Sequence, residues 1–325
     1  MESLSVSHIL KFQESLGGHL ENTSSPRLDI AFGIDEKYTR HMGVLMTSLI
    51  ANNSDNSLFF HVFTDKMLEE DRQRLSLLAS QSPVSIQIYY IDADLLRKLP
   101  ATVEYPAAIY YRLLMPEILR ESANRVLYLD SDIICTGHLP NPNELDMGGT
   151  AAAAVGDVQQ VARERITELG LAHDFYFNSG VMLIDTEKWN TDHISSRVFT
   201  ILQERGSTFT LMDQDALNIA LDGKVTCLPS VWNQVYDLGQ MTQDPAPGTL
   251  FLHYTGGIKP WRVSGRHRLS EYYRRYESLS PWSGAPLLPP TGYKEMEVYA
   301  RLSFRAGDPC TGLYWYWRYL QTKFL

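Results

Sequence analysis

Asp130 and Asp132, two carboxylates separated by Ser131, stand at the end of the apolar run 126–129, in a stretch that continues apolar to Ile134. On an extended backbone residues i and i+2 point to the same face, so the pair would share one side of a buried strand. Like charges brought together there repel and resist desolvation, and something cationic has to hold them. The chemistry this predicts is capture of a hard divalent ion by carboxylate oxygens, with positions left open for a substrate phosphate. The same residues also read as a strand running into a turn, with Asp130 capping the next element and Asp132 solvated.

Other residues along the chain could serve such a centre. Asp35 and Asp157 each follow a short apolar run, 28–33 and 151–155. Asn178 lies in the aromatic, glycine-terminated corner 175–180, where its amide suits a polar ligand or its own turn. Asp213, Gln214 and Asp215 open a run containing Ala216, Leu217, Ile219 and Leu221, the pattern of a helix with acids in its first turn. His253 reads either as a metal ligand or as a structural ring. Beyond it, Gly256 and Gly257 permit close approach of backbone to a phosphate, with Lys259 as the charge partner.

Positioning these groups requires strands that end near one another. Apolar or alternating runs predict strands over 28–33, 58–64, 84–90, 126–129, 151–155, 181–184 and 250–254, and helical spacing fits 41–52, 68–80 and 107–119. This alternation indicates an α/β fold, a mostly parallel sheet with helices on both faces. In such sheets ligands collect outside the carboxyl ends of the strands, where Asp35, the Asp130 and Asp132 pair and Asp157 all fall.

With 325 residues the chain can bury a large core, and its length allows about two domains. No run of eighteen apolar residues occurs, and the stretch 1–26 has neither the basic start nor the apolar core of a secretory signal, so it reads as a polar leader or irregular lid. Cys135, Cys227 and Cys310 are far apart and lack metal-ligand spacing, which suits reduced thiols in a cytosolic compartment. The net charge of −9 is uneven: from Pro260 onward there are ten Lys/Arg against five Asp/Glu. That basic end also carries Tyr272, Tyr273, Tyr276, Trp282, Tyr314, Trp315, Tyr316 and Trp317. An acidic body argues against nucleic acid as a partner, and the basic, aromatic tail predicts contact with an anionic surface.

Six segments carry a resemblance: FGIDEKY at 32–38, IYYRL at 109–113, LYLDSDII at 127–134, FNSGVMLID at 177–185, DQDALN at 213–218 and LHYTGGIKPW at 252–261. In this order and spacing, over about 230 residues, the chain resembles the retaining glycosyltransferases of family 8, which include bacterial lipopolysaccharide glucosyl- and galactosyltransferases and the glycogenins. The resemblance implies a GT-A nucleotide-diphosphosugar fold over 27–262, a UDP-glucose or UDP-galactose donor and a divalent cation, Mn2+ or Mg2+. It makes Asp130, Asp132 and His253 the metal ligands. Asp35 and Tyr38 correspond to the uridine-binding turn, although Lys37 stands where many members have Asn. Gly33, Ile34, Arg112, Ser131 and Ser179 fall on donor-binding positions, Gly256 and Lys259 on the diphosphate clamp, and Asp157, Asn178, Asp213 and Gln214 on the hexose pocket.

Retention through double displacement would need a carboxylate beneath the anomeric carbon, and the matching residue, Gln214, is an amide and a poor nucleophile. The expectation is front-face substitution, with Asp213 and Asp157 positioning the hexose. The extension 263–325 predicts helices over 266–277, from Tyr293 and from Leu313, the last with Leu313, Tyr316, Trp317, Leu320 and Phe324 on one face and Arg318 and Lys323 off it. A basic, aromatic helix of this kind lies in a membrane interface or packs on the catalytic domain. The run PPTGYKEMEVYARL resembles the C-terminal extension of lipopolysaccharide core transferases, which implies a lipopolysaccharide core acceptor and a place at the inner face of the bacterial cytoplasmic membrane. Two further readings are a family-8 enzyme with a protein or soluble glycan acceptor, and a fold relative that binds without catalysing.

Overall fold

Strands covered on both faces have no polar side, and the Ile, Val, Leu and Phe runs of this chain accordingly occupy the centre of the molecule. In the structure, a computed structural model that describes residues 9–17, 26–94, 96–100, 106–239 and 243–324, the strands in chain order are β1 Leu10–Leu16, β2 Arg27–Gly33, β3 Ser57–Thr64, β4 Val84–Ile91, β5 Arg125–Leu129, β6 Ile133–Cys135, β7 Ala152–Gly156, β8 Phe177–Asp185, β9 Val225–Cys227, β10 Gln234–Tyr236 and β11 Phe251–Tyr254. Eight of them form one sheet in the order β1-β4-β3-β2-β5-β8-β7-β9. β4, β3, β2 and β5 run parallel, as do β7 and β9. β8 is antiparallel to both neighbours, and β1 is antiparallel to β4. The mostly parallel α/β sheet expected from the sequence is present, with one reversed strand at its centre.

Alternate residues of the strands feed two cores. Ile30, Phe32, Leu127 and Leu129 pack with Met42, Leu45, Met46 and Leu49 of the helix Thr39–Asn52 and with Leu75 and Leu78 of the helix Glu69–Gln81. Ala31, Tyr128 and Met182 meet Val198 and Leu202 of the helix Ile194–Arg205 and Leu217 of the helix Met212–Ala220. A second sheet, ordered β10-β11-β6, lies beyond the end of β5.

The run 126–129 lies in β5 of the large sheet and ends at Asp130 as expected, and β6 of the small sheet follows, so Asp130, Ser131 and Asp132 form the crossing between the two sheets. Two expectations change. The predicted helix 107–119 is a 3-10 helix, Ala107–Leu113, followed by the short helix Met115–Ile118. Pro116 explains the break, since it lacks the N–H that would bond to the Arg112 carbonyl in a continuous α-helix. Within the stretch read as a polar leader or irregular lid, residues 10–16 form the edge strand β1, and 1–8 and 18–25 lie outside the described residues.

The sequence after 262 is not separate in packing. The helix Ser270–Leu279 lies on the helix Thr39–Asn52, with Arg40 Nη2 donating to Glu277 Oε1 at 2.6 Å and Asn52 Nδ2 to Tyr276 Oη at 2.8 Å. Trp282 is buried over Gly43, where a Cβ would stand 2.1 Å from the indole, and its Nε1 donates to Asp71. Tyr273, Tyr276 and Trp282 are therefore core residues, whereas the tail reading grouped them with the surface aromatics. The helices Tyr293–Arg305 and Pro309–Phe324 form a hairpin, closed where Gly312 sits against Phe304 and Tyr299 against Trp315. Its outer side exposes Leu313, Tyr316, Trp317 and Phe324. No helix among the described residues is long and apolar enough to cross a membrane.

Candidate active site

Where β5 ends and β6 begins, Asp130 and Asp132 turn toward β11, which carries His253 opposite Ile133. One oxygen from each carboxylate and a ring nitrogen of His253 lie within 4.8 Å of one another. His253 Nε2 is 3.2 Å from Asp132 Oδ1 and 4.0 Å from Asp130 Oδ2. The other oxygens are held elsewhere: Asp130 Oδ1 accepts from Arg112 Nη2 at 2.7 Å and Tyr128 Oη at 2.6 Å, and Asp132 Oδ2 accepts from Lys259 Nζ at 2.8 Å. The close approach depends on Gly180, because a Cβ there would stand 2.3 Å from His253 Cε1 and 2.8 Å from Asp130 Oδ2.

The charges fit this arrangement. Burial works against an ionised Asp132, but Lys259 and His253 hold its carboxyl well below the usual range. Burial likewise opposes the Lys259 ammonium, and Asp132 more than offsets it, so its pKa is raised. The donor set of two carboxylate oxygens and one imidazole nitrogen fits a divalent cation, with the nitrogen favouring Mn2+ over Mg2+ slightly. Expected metal ligands thus converge, as does the clamp residue Lys259. Gly256 has φ +75°, a left-handed conformation that suits glycine, and a Cβ would stand 3.0 Å from Asp237 Cγ.

Beside this centre lies a polar pocket. Gln214 Oε1 accepts from Ser179 N at 3.0 Å, and its Nε2 donates to Asp157 Oδ2 at 2.7 Å and Tyr176 Oη at 3.1 Å. Arg112 Nη1 donates to the Ser179 carbonyl and hydroxyl at 2.8 and 2.9 Å. Asp213 Oδ2 is buried 3.1 Å from Arg112 Nε but out of line for a hydrogen bond, since that N–H is directed at the Ile109 carbonyl. Burial pushes the Asp213 carboxyl up to about 6, with Arg112 opposing and Asp130 reinforcing the shift. Asp213 Oδ2 and Ser131 Oγ are buried without a protein hydrogen-bond partner, which in a native structure marks a place for a polar ligand.

Asp213, Gln214 and Asp215, which open the helix Met212–Ala220, point to different surroundings. Asp215 is buried beneath the pocket, where Arg165 Nη2 and Nε and Tyr176 Oη donate to it and its Oδ2 accepts from the backbone of Thr210 and Leu211. Asp215 thus ties down the turn before the helix, whose N-cap Leu211 has no side-chain cap, and Asp213 and Gln214 are left to face the site. On the other side Asp35 Oδ1 accepts from Lys37 N and Tyr38 N, closing the 3-10 turn Glu36–Tyr38. The Tyr38 phenol, whose pKa burial raises, also lies within the fields of Lys259 and Asp132. Ile34 is a core side chain, so Gly33 and Ile34 can offer the site only backbone.

Sequence reasoning missed four residues. Tyr128 shares the strand face of Asp130 at i and i+2, a period that could have identified it. Gly180 stood inside a recognised segment without being singled out. Tyr176 and Asn233 carried no local signal.

Residues 29–265 match the model for glycosyl transferase family 8, and residues 269–323 match the model for its C-terminal region. A lipopolysaccharide 1,3-galactosyltransferase of Salmonella typhimurium is 31% identical over 319 residues, 94% of each chain. A lipopolysaccharide 1,2-glucosyltransferase of Escherichia coli K12 is 31% identical over 270 residues, 80% of each chain. Among solved structures, galactosyltransferase LgtC in complex with donor and acceptor sugar analogues superposes with a TM-score of 0.70 at 24% identity, covering 78% of this chain and 96% of that one. The fold is the GT-A type that the sequence resemblance implied.

Proposed function

The chain belongs to glycosyltransferase family 8, and from that premise we propose that it is a retaining hexosyltransferase moving glucose or galactose from a UDP-sugar to a hexose of the lipopolysaccharide outer core. The observation that carries the donor chemistry is the convergence of Asp130, Asp132 and His253 beside Lys259, facing the Asp157, Gln214 and Asp213 pocket. The acceptor class rests on the lipopolysaccharide transferases that the chain resembles over most of its length.

Asp130, Asp132 and His253 would hold a divalent cation, which when bound neutralises the charge that gathers on the departing diphosphate. Lys259 adds a fixed positive charge on the same side, already oriented by Asp132 and by the Tyr254 carbonyl, so it needs no reorganisation during reaction. Asp35 and Tyr38 receive the uridine, the carboxylate accepting an N–H and the ring lying against the base. Asp157, Asn178 and Asp213 bind hexose hydroxyls. Gln214 is fixed at both ends of its amide and presents no carboxylate to the anomeric carbon. The acceptor hydroxyl therefore attacks from the face that UDP leaves, its proton passing to a β-phosphate oxygen, and the configuration is retained.

The exposed row Leu313, Tyr316, Trp317 and Phe324, flanked by Arg318 and Lys323, supports peripheral attachment to the anionic inner face of the cytoplasmic membrane, where a lipid-linked acceptor resides. The test is incubation with a panel of UDP-sugars and truncated core lipopolysaccharides in Mn2+, read by product mass and linkage. An α-linked hexose added to a core acceptor is expected. Transfer only to protein or soluble glycans would refute the acceptor, and no transfer from any UDP-hexose would refute the activity.

A further inference from the structure

A histidine can bind a cation through Nε2 only if that nitrogen is bare, and in this site the neighbours compete for the ring proton. Asp132 Oδ1, 3.2 Å from Nε2, pulls the proton toward the position a metal needs. The opposing pull comes from Asn233, whose Oδ1 lies 3.1 Å from His253 Nδ1. An asparagine amide can face either way, so the question is what fixes it.

The answer runs back to an N–H whose direction is not open to choice. The backbone of Gly180 donates to Asn178 Oδ1 at 3.0 Å, which orients the Asn178 amide with its oxygen toward Gly180 and Asn233. Asn233 must then present its NH2 to that oxygen, as it does at 2.8 Å. Turning Asn233 over would set two carbonyl oxygens against each other in a buried pocket and cost the hydrogen bond to Asn178. With its nitrogen committed to Asn178, Asn233 offers His253 only an acceptor, and Nδ1 must carry the proton. Asn233 is 4% exposed and His253 3%, so bulk solvent does not reach either partner.

We propose that Asn233 is a positioning residue that holds the His253 proton on Nδ1 and so leaves Nε2 free for the divalent cation. This rests on the reading of Asp130, Asp132 and His253 as metal ligands. Asn178 joins the two halves of the site: its Nδ2 is 3.4 Å from Asp157 Oδ2, so the chain Asp157, Asn178, Asn233, His253 links the sugar pocket to the metal ligand. Partners of this kind orient a ligating ring and typically change metal affinity by about 10- to 100-fold.

The experiment compares wild type, Asn233→Leu, Asn233→Asp and His253→Ala. Mn2+ affinity is measured by titration without donor, and ring ¹⁵N shifts are recorded on the metal-free protein. Asn233→Leu is expected to weaken Mn2+ about 10- to 100-fold and to move the ring proton from Nδ1 to Nε2. Asn233→Asp, which restores an acceptor to Nδ1 but loses the donor to Asn178, should recover the Nδ1–H form and part of the affinity. Mn2+ binding by Asn233→Leu within twofold of wild type, or an unchanged tautomer, would overturn the proposal. Equal Mn2+ binding by wild type and His253→Ala would instead refute the metal reading, and the ¹⁵N shifts would still decide whether Asn233 sets the proton.

Discussion

Asp213 is a buried carboxyl whose pKa burial raises, and it makes a pH dependence that can be checked without substrate. Its ordinary value of 3.8 is raised to about 6 by burial. A group bound to its proton more tightly when folded contributes stability that is full below the unfolded pKa and is lost as pH rises through the folded one. In chelator, the melting temperature of wild type should therefore fall relative to Asp213→Asn between about pH 4 and about pH 7. Parallel melting profiles for the two proteins would contradict the assignment. Much of this residue-level chemistry was legible, because carboxylates at strand ends advertise themselves against apolar runs. Asn233 was not, since it lies in an irregular stretch twenty residues before His253 and its role exists only through folded neighbours.

Among the elements, the strands were the legible part: buried runs such as 28–33 and 58–64 have few alternatives. The helix expected at 107–119 failed because apolar spacing says nothing of Pro116, whose missing N–H turns the segment into two shorter helices. Trp282 was misread for a different reason. Aromatics near basic residues look alike in sequence whether they meet lipid or fill a core, and only the close approach permitted by Gly43 decides for the core. Trp282→Ala would leave a cavity between the helix Thr39–Asn52 and the helix Glu69–Gln81 and strand Asp71 without its indole partner. A loss of about 3–5 kcal/mol in denaturant unfolding is expected. A change within about 0.5 kcal/mol would show that the segment after 262 does not stabilise the catalytic fold.

At the scale of the whole molecule, the metal-binding candidates lie where the two sheets meet, and the C-terminal hairpin buries Tyr319 and half-buries Trp315 while Leu313, Tyr316, Trp317 and Phe324 face out. Of the face that periodicity predicted for the last helix, Leu313, Tyr316, Trp317 and Phe324 are exposed and Leu320 is half-buried, while Gly312 on another side packs against Phe304. Replacing Tyr316 and Trp317 together by Ala should lower flotation with anionic vesicles severalfold and leave UDP-sugar hydrolysis in Mn2+ unchanged. Unaltered flotation would remove the membrane from the account and favour a partner protein on this face.

The central claim is that Asp130, Asp132 and His253 form the cation site on which donor cleavage depends. It is tested most directly by initial rates of hexose transfer from the active UDP-sugar to truncated core lipopolysaccharide, for wild type and for Asp130→Ala/Asp132→Ala, in Mn2+ and in chelator. The account predicts a fall of at least about 10²- to 10³-fold for the double variant in Mn2+, a comparable fall for wild type in chelator, and no further loss when the two are combined. Transfer at the wild-type rate by the double variant in chelator would contradict it.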